Sequence, residues 1–300
     1  MGRLATLENK GVVRKNRREF IMKKALLGVA NNLRSNLQKV TLWSNSFKNV
    51  TDGEVILLLA NGTEDDLLIC KDLGITSHLV TIEDEWFFNH KRLEHTLNFL
   101  KTTDIDLFMV TDVFDVVFQG NPFELMDLDN YDVFAGGEGV DINQEPWNMD
   151  NIGKIFPQYK EGCVGVEITN SGIIGGKTPS LVSTYQRMFD LCEEGSNDHN
   201  IKDQAAFNVM ISRNEIPRFK RFNLDEGWAM HCAVSGPTEF FVKWGFNNNL
   251  KYGVPQMLND VICTSEGIPF RVGHQFNRVP EWHDIINKKY NIVFEKDVHR

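Results

Sequence analysis

Between residues 24 and 110, four short apolar runs alternate with amphipathic stretches, and this rhythm restricts the fold more than any other feature. The runs are Lys24 to Ala30, Val55 to Ala60, His78 to Ile82 and Ile105 to Val110. Val55 to Ala60 is apolar without a break, too short for a helix alone, and closes on Asn61-Gly62, as a strand covered on both faces does. Between the runs, Leu33, Leu37, Val40 and Trp43 recur at helical spacing. Glu64 to Leu73 reads as a helix stopped by Gly74, and Arg92 to Leu100 as another with Leu93, Leu97 and Leu100 on one side. Strands alternating with helices predict an α/β fold with a mostly parallel, doubly wound sheet whose functional loops gather at the carboxyl ends of the strands.

The second half is less regular. Tyr131 to Ala135 reads as a strand opening on Gly136-Gly137-Glu138-Gly139. Asp141 to Gly162, with Trp147 and two prolines, reads as a long polar loop. Gly165 to Thr169 reads as a strand ending at Asn170-Ser171-Gly172, and helices are expected over Ser180 to Cys192 and Asp203 to Ile211. With no internal repeat or linker, one domain is expected: a polar arm over residues 1–20, a nucleotide-binding half over 24–130 and a loop-rich acceptor half over 131–300.

Neither GxGxxG nor GxxxxGK[ST] follows any strand, so a bound nucleotide would need another device for its phosphates. Thr111-Asp112-Val113-Phe114-Asp115 supplies one: two carboxylates three residues apart where a buried strand ends. Charge there is costly unless neutralised, and a hard cation neutralises it by taking oxygen ligands. Such a Mn²⁺ or Mg²⁺ would hold diphosphate oxygens and act as a Lewis acid toward the leaving diphosphate. The competing reading has Asp112 capping a helix and Asp115 paired with a surface lysine.

The run Thr111-Asp112-Val113-Phe114-Asp115-Val116-Val117-Phe118-Gln119-Gly120-Asn121-Pro122-Phe123 resembles the DxD-type motif of GT-A glycosyltransferases. It is most similar to the DxxD form of viral and bacterial enzymes and of the glycosyltransferase domain of multifunctional collagen lysyl hydroxylases. A strict DxD motif would set its second acid where this chain has Phe114. Three further segments resemble that family in order: Asn170-Ser171-Gly172 with Ile173 to Gly176, Asp203-Gln204 opening a helix, and His274-Gln275-Phe276-Asn277-Arg278. The resemblance spans about residues 24–290. It implies Asp112, Asp115 and His274 as ligands of a divalent cation, usually Mn²⁺. It also implies a nucleoside-diphosphate sugar donor, most often a UDP-sugar, and a glycan, glycoprotein or small-molecule acceptor.

Other candidates are weighed on their chemistry. Asn170, Ser171 and Gly172 suit close approach to a sugar, or form an ordinary turn. Glu138 is a candidate for sugar hydroxyls or an acceptor proton. Asp203 is either a helix cap or a catalytic-centre acid, with Gln204 beside it. Ala30, Asn31 and Asn32 are expected near the base and ribose by fold analogy, with Thr111 at the motif's start. Arg92 either neutralises the diphosphate or lies on a solvated helix face. Trp86, Phe87, Phe88, Trp147, Trp228, Trp244 and Trp282 either stack on sugars or pack. The histidines other than His274 are read as structural.

Lysine and arginine number 32 against 41 acids, and a net charge of −9 argues against a nucleic-acid partner. Five cysteines (Cys70, Cys163, Cys192, Cys232 and Cys263) never form CxxC, which fits reduced thiols in the cytoplasm. No run reaches the roughly 18–20 apolar residues of a membrane span, and Arg14, Lys15, Arg17 and Arg18 interrupt any signal-peptide core. Two other functions compete. A sugar nucleotidyltransferase would carry a Gly-rich basic loop where this chain has Val29-Ala30-Asn31-Asn32. An inactive carbohydrate-binding relative would not need Asp112, Asp115, Asp203 and His274 intact.

Overall fold

The computed structural model describes residues 22–197, 199–237 and 250–292. The basic N-terminal arm, Trp244 and His299 lie outside the described residues. The first four expected strands form: β1 (Lys24–Ala30), β2 (Glu54–Ala60), β3 (Thr76–Val80) and β4 (Leu107–Thr111). Of the later strands, β5 (Val116–Phe118), β9 (Ala229–His231) and β12 (Val272–His274) build a small second sheet. β6 (Val133–Asp141), β7 (Glu167–Lys177) and β8 (Phe219–Phe222) complete the main one, while β10 (Gln256–Leu258) and β11 (Val261–Cys263) form a separate hairpin.

The main sheet has seven strands in the order β3-β2-β1-β4-β7-β6-β8. β1, β2, β3 and β4 run parallel, and only β7 opposes its neighbours. Helices α1 (Leu37–Lys48) and α2 (Glu64–Asp72) cover one face. There Trp43, Phe47 and Cys70 meet Leu26, Leu57 and Met109. Helices α3 (Phe88–Leu100), α4 (Pro146–Ile155), α5 (Thr178–Glu194) and α6 (Lys202–Ser212) cover the other, packing on Leu27, Ile56, Phe108 and Val110. Neighbouring strand residues thus enter different cores, which is why these runs are apolar throughout. A third core under the small sheet joins Val117, Met230, Phe270 and Phe276 to α8 (Pro280–Lys289), which follows the one-turn α7 (Cys232–Ser235).

Local chemistry fixes the first units. Thr63 accepts from the Asp66 N–H while Asp66 accepts from the Thr63 N–H, a capping box that starts α2. Gly74 follows at φ +65°, the left-handed position that ends it. β3 begins two residues earlier than its apolar run because it is a partly exposed outer strand whose first residues are polar.

Two expectations are overturned. The stretch 141–162 is not one long loop: Glu145 caps α4 by accepting from the Trp147 and Asn148 N–H groups, with Pro146 at the first helical position. Nor does the strand end at Asn170-Ser171-Gly172, because β7 runs eleven residues straight through. The glycines there serve close packing rather than turning: a Cβ on Gly176 would run into the Asp132 carbonyl oxygen.

Gly176→Ala should therefore destabilise the protein by about 1–3 kcal/mol through overpacking. Urea unfolding checks this, and unchanged stability would show that β6 can move away from β7.

Candidate active site

The two sheets meet in the segment Asp112 to Asp115. β4 ends at Thr111 in the main sheet and β5 starts at Val116 in the small one, so both acids lie on the crossing. The crossing is fixed at both ends. The Asp112 N–H donates to the Gly172 carbonyl at 2.8 Å, and the Gln275 N–H to the Asp115 carbonyl at 2.8 Å. Beneath it the Trp43 indole N–H donates to Thr111 Oγ1 at 2.9 Å.

β12 pairs with β5 so that His274 faces Val116, next to Asp115. One ligand-type atom from each of Asp112, Asp115 and His274 lies within 4.8 Å of the others. His274 Nε2 is 3.2 Å from Asp112 Oδ2 and 3.5 Å from Asp115 Oδ1, yet is aligned for a hydrogen bond with neither. Two carboxylates and an imidazole converging on one point are a donor set that suits Mn²⁺ or Mg²⁺. Gly172 makes room: a Cβ there would lie 2.5 Å from His274 Cε1 and 2.7 Å from Asp112 Oδ2. Burial would lower the His274 pKa, but Asp115 and Asp112 outweigh it and push it up to about 10. To ligate a cation the imidazole must first lose that proton, so binding would release it.

Arg92 is not on a solvated helix face. Its guanidinium pairs with Asp112 Oδ1 and, at 2.6 Å, with Asp203 Oδ2, tying α3 to the end of β4 and to α6. Burial would raise the Asp112 carboxyl, but Arg92 and His274 prevail and hold it well below the usual carboxylate range. Asp203 does not cap its helix: Ile201 is the N-cap residue, without a side-chain cap. Buried to 2% exposure, Asp203 keeps Oδ1 without a hydrogen-bond partner in the cleft wall. The cap-and-lysine reading of Asp112 and Asp115 also fails, since their charged neighbours are Arg92 and His274.

The cleft, about 900 Å³, is lined by Asp112, His274, Asp203, Arg92 and Glu138 and by Trp147 at 44% exposure. Its floor is cross-linked. Gln204 accepts from the Ser171 N–H and donates to the Thr169 carbonyl and Asn148 Oδ1. Asn170 accepts from the Gly172 N–H and donates to Glu138 Oε1 at 2.7 Å. Burial, opposed by the Asn170 bond, raises the Glu138 pKa to about 7.

Some sequence candidates fall elsewhere. Ala30 is fully buried in the sheet core, Asn31 and Asn32 turn away from β1 with Asn32 at φ +49°, and Thr111 is occupied by Trp43. None of the four lines the large cleft, though Thr111 lines a small pocket together with Arg92, Asp112, Ser171 and Asp203. Trp228 and Trp282 are core residues, while Trp86 is 57% exposed. Three participants were missed. Glu145 and Asn148 were hidden by the loop reading, though Glu-Pro before an amphipathic stretch signals a helix start. His231, whose Nδ1 lies 2.9 Å from His274 Nδ1, carries no spacing signal.

No protein-family model matches the chain, and no curated protein matches it by sequence. Solved structures do match. The galactosyltransferase LgtC, in complex with donor and acceptor sugar analogs, superposes with a TM-score of 0.54 at 12% identity, covering 88% of this chain and 95% of that one. An active-site mutant of LgtC gives the same values. The glycosyltransferase GlyE of Streptococcus pneumoniae TIGR4 superposes with a TM-score of 0.50 at 13% identity, covering 90% of this chain and 64% of that one. The chain has the GT-A fold. No helix among the described residues is long and apolar enough to cross a membrane.

Glu138 generates a pH prediction. Its ordinary pKa of 4.5 applies unfolded and about 7 folded, so the folded state holds the extra proton between those values. Stability of the metal-free protein should fall by about 3 kcal/mol from this group as pH rises from about 4.5 to about 7. Glu138→Gln should remove that slope in urea unfolding with EDTA present, and identical slopes would mean that Glu138 ionises freely when folded.

Proposed function

We propose that this chain is a metal-dependent glycosyltransferase, acting as one unit over residues 24–290, that moves a hexosyl or pentosyl group from a nucleoside-diphosphate sugar to a hydroxyl acceptor. The observation that carries the reading is the convergence of Asp112, Asp115 and His274 at the end of β4, with Asp112 and His274 in the wall of the cleft of a GT-A fold. LgtC, which has that fold, was solved with donor and acceptor sugar analogs. The choice of a UDP-sugar rests on the resemblance of the DxxD segment. The acceptor is a glycan, glycoprotein or small molecule.

In this reading Asp112 Oδ2, Asp115 and His274 Nε2 hold Mn²⁺ or Mg²⁺, which when bound supplies charge neutralisation for the diphosphate. Arg92 takes Asp112 Oδ1 and so turns Oδ2 toward His274. Asp203 Oδ1 is left to accept a hydrogen bond from a donor-sugar or acceptor hydroxyl, at a depth where an unmet carboxylate oxygen is costly. Asn170, Ser171 and Gly172 line the same cleft as Asp203 and Asp112. Glu138, neutral below about pH 7, stands at the same wall as a donor or acceptor to sugar hydroxyls.

Asp115→Ala should lose Mn²⁺-dependent UDP binding while its melting curve stays cooperative. Asp203→Asn should lower turnover by about 10²–10⁴ with UDP affinity retained. Both are read by calorimetry and by release of sugar from UDP-sugars, with a GDP-sugar as control. Metal-independent binding of all nucleotides alike would contradict the proposal, and unchanged turnover in Asp203→Asn would leave Asp203 as a structural partner of Arg92.

A further inference from the structure

His231 stands one strand away from the acid pair, and nothing in its sequence surroundings marks it. β9 runs parallel to β12 in a register that puts His231 directly opposite His274. Both rings are buried, at 0% and 1% exposure, and meet edge to face at 88° with Nδ1 to Nδ1 at 2.9 Å. A hydrogen bond between two imidazole nitrogens needs one to carry the hydrogen and the other the lone pair. The direction of that bond determines what His274 can offer on its far side.

Two arrangements exist. With the hydrogen on His231 Nδ1, a neutral His274 accepts at Nδ1 and carries its own hydrogen on Nε2, facing Asp112 and Asp115. That form has no lone pair for a cation. With the hydrogen on His274 Nδ1, the lone pair of Nε2 faces the two carboxylates. His274 Nε2 sits between two carboxylates and so takes up either a proton or a cation there. With a cation at Nε2 the hydrogen of the His274 ring is on Nδ1, and His231 Nδ1 is the acceptor facing it. His231 is fully buried with no carboxylate paired to it among the described residues, so it stands there as a neutral imidazole that can accept. Its own hydrogen then lies on Nε2, packed against Gly136, where a Cβ would come within 2.8 Å and where no hydrogen-bond partner stands.

We propose that His231 is a positioning residue for the cation centre: it accepts the Nδ1–H of His274 and thereby holds the Nε2 lone pair toward Asp112 and Asp115. The proposal rests on the reading of Asp112, Asp115 and His274 as cation ligands. Groups that orient a ligating imidazole through its other nitrogen typically change metal affinity about 10–100-fold when removed. The orphaned Nε2–H of His231 is a local cost that the fold retains, which a residue kept only for packing would not require.

The test is Mn²⁺ affinity of the full chain, measured without nucleotide by electron paramagnetic resonance of the free ion. His231→Leu removes the acceptor at similar bulk and should weaken Mn²⁺ binding about 10–100-fold. His231→Asn keeps an acceptor oxygen near the place of Nδ1 and should recover most of the affinity. Asp115→Ala serves as the control for the cation reading. If Asp115→Ala loses Mn²⁺ and His231→Leu binds like wild type, the His231 proposal falls and the cation reading stands. If Asp115→Ala binds like wild type, the cation reading falls and takes the proposal with it. Should His231→Leu fail to fold, ¹⁵N imidazole spectra of the wild type with and without Mg²⁺ decide. Hydrogen on His274 Nδ1 and on His231 Nε2 is expected, and hydrogen on His231 Nδ1 overturns the proposal.

Discussion

The guanidinium of Arg92, shared between Asp112 and Asp203, joins three elements that otherwise meet only through apolar packing on one face of the sheet. α3 brings the cation, the end of β4 one carboxylate and the first turn of α6 the other. The Asp203 side chain is 3% exposed, so its charge depends on Arg92 for compensation. Removing one partner from such a buried group leaves an uncompensated charge and typically costs about 3–5 kcal/mol. The pairing is therefore less a source of net stability than a constraint on geometry. It holds α6 where Asp203 reaches the cleft, and it occupies one oxygen of Asp112 so that the other faces His274.

The same constraint shapes the charge of the site. Asp112, Asp115 and Asp203 are three carboxylates against one guanidinium, which leaves two negative charges for the surroundings to answer. A proton on His274 answers one of them, and the two nearby carboxylates raise its pKa accordingly. A divalent cation with a neutral imidazole answers both. This is why the donor set, rather than the cleft's size, decides between a cation site and a salt-bridge cluster. A salt-bridge cluster is expected to align His274 Nε2 on one carboxylate, whereas here it lies near two and is aligned on neither, which is what the proposed cation site rests on.

What the sequence disclosed and what it hid divide along the range of the interactions. β1 was legible to the residue, and β2, α2 and β4 nearly so, because burial on both faces and local capping leave a mark on each segment alone. Asp112, Asp115 and His274 were legible because their order resembled a known motif. The roles of Arg92 and His231 were not, since a shared guanidinium and a cross-strand imidazole pair exist only after α3, α6, β9 and β12 are in place. Gly172, read as part of a strand end, misled for a related reason. Glycine in a strand reads as a turn when the residue that needs the space, here His274 for Gly172, comes from elsewhere in the chain. α4 is different: its cap and proline were local signals, outweighed by a polar composition that suggested a loop.

The cleft floor shows why so polar a pocket need not be soft. Asn148, Asn170 and Gln204 are buried, and their hydrogen bonds join Gln204 to Asn148, reach Glu138 and Glu145, and run to the backbone of β7 rather than into open space. Satisfied buried networks of this kind fix rotamers, because each side chain would strand a partner by moving. The consequence is selective. With Gln204 committed to Thr169 and Ser171, it aims no amide freely at a ligand and instead keeps β7 against α6. The ionisable groups left lining the cleft include Asp203, Asp112, Glu138 and His274, beside the rim of Trp147. A site built this way presents a small set of charged atoms on a rigid frame. It favours a ligand whose own charge and hydroxyls already match their spacing, and it does so by withholding the side chains that might otherwise adapt to something else.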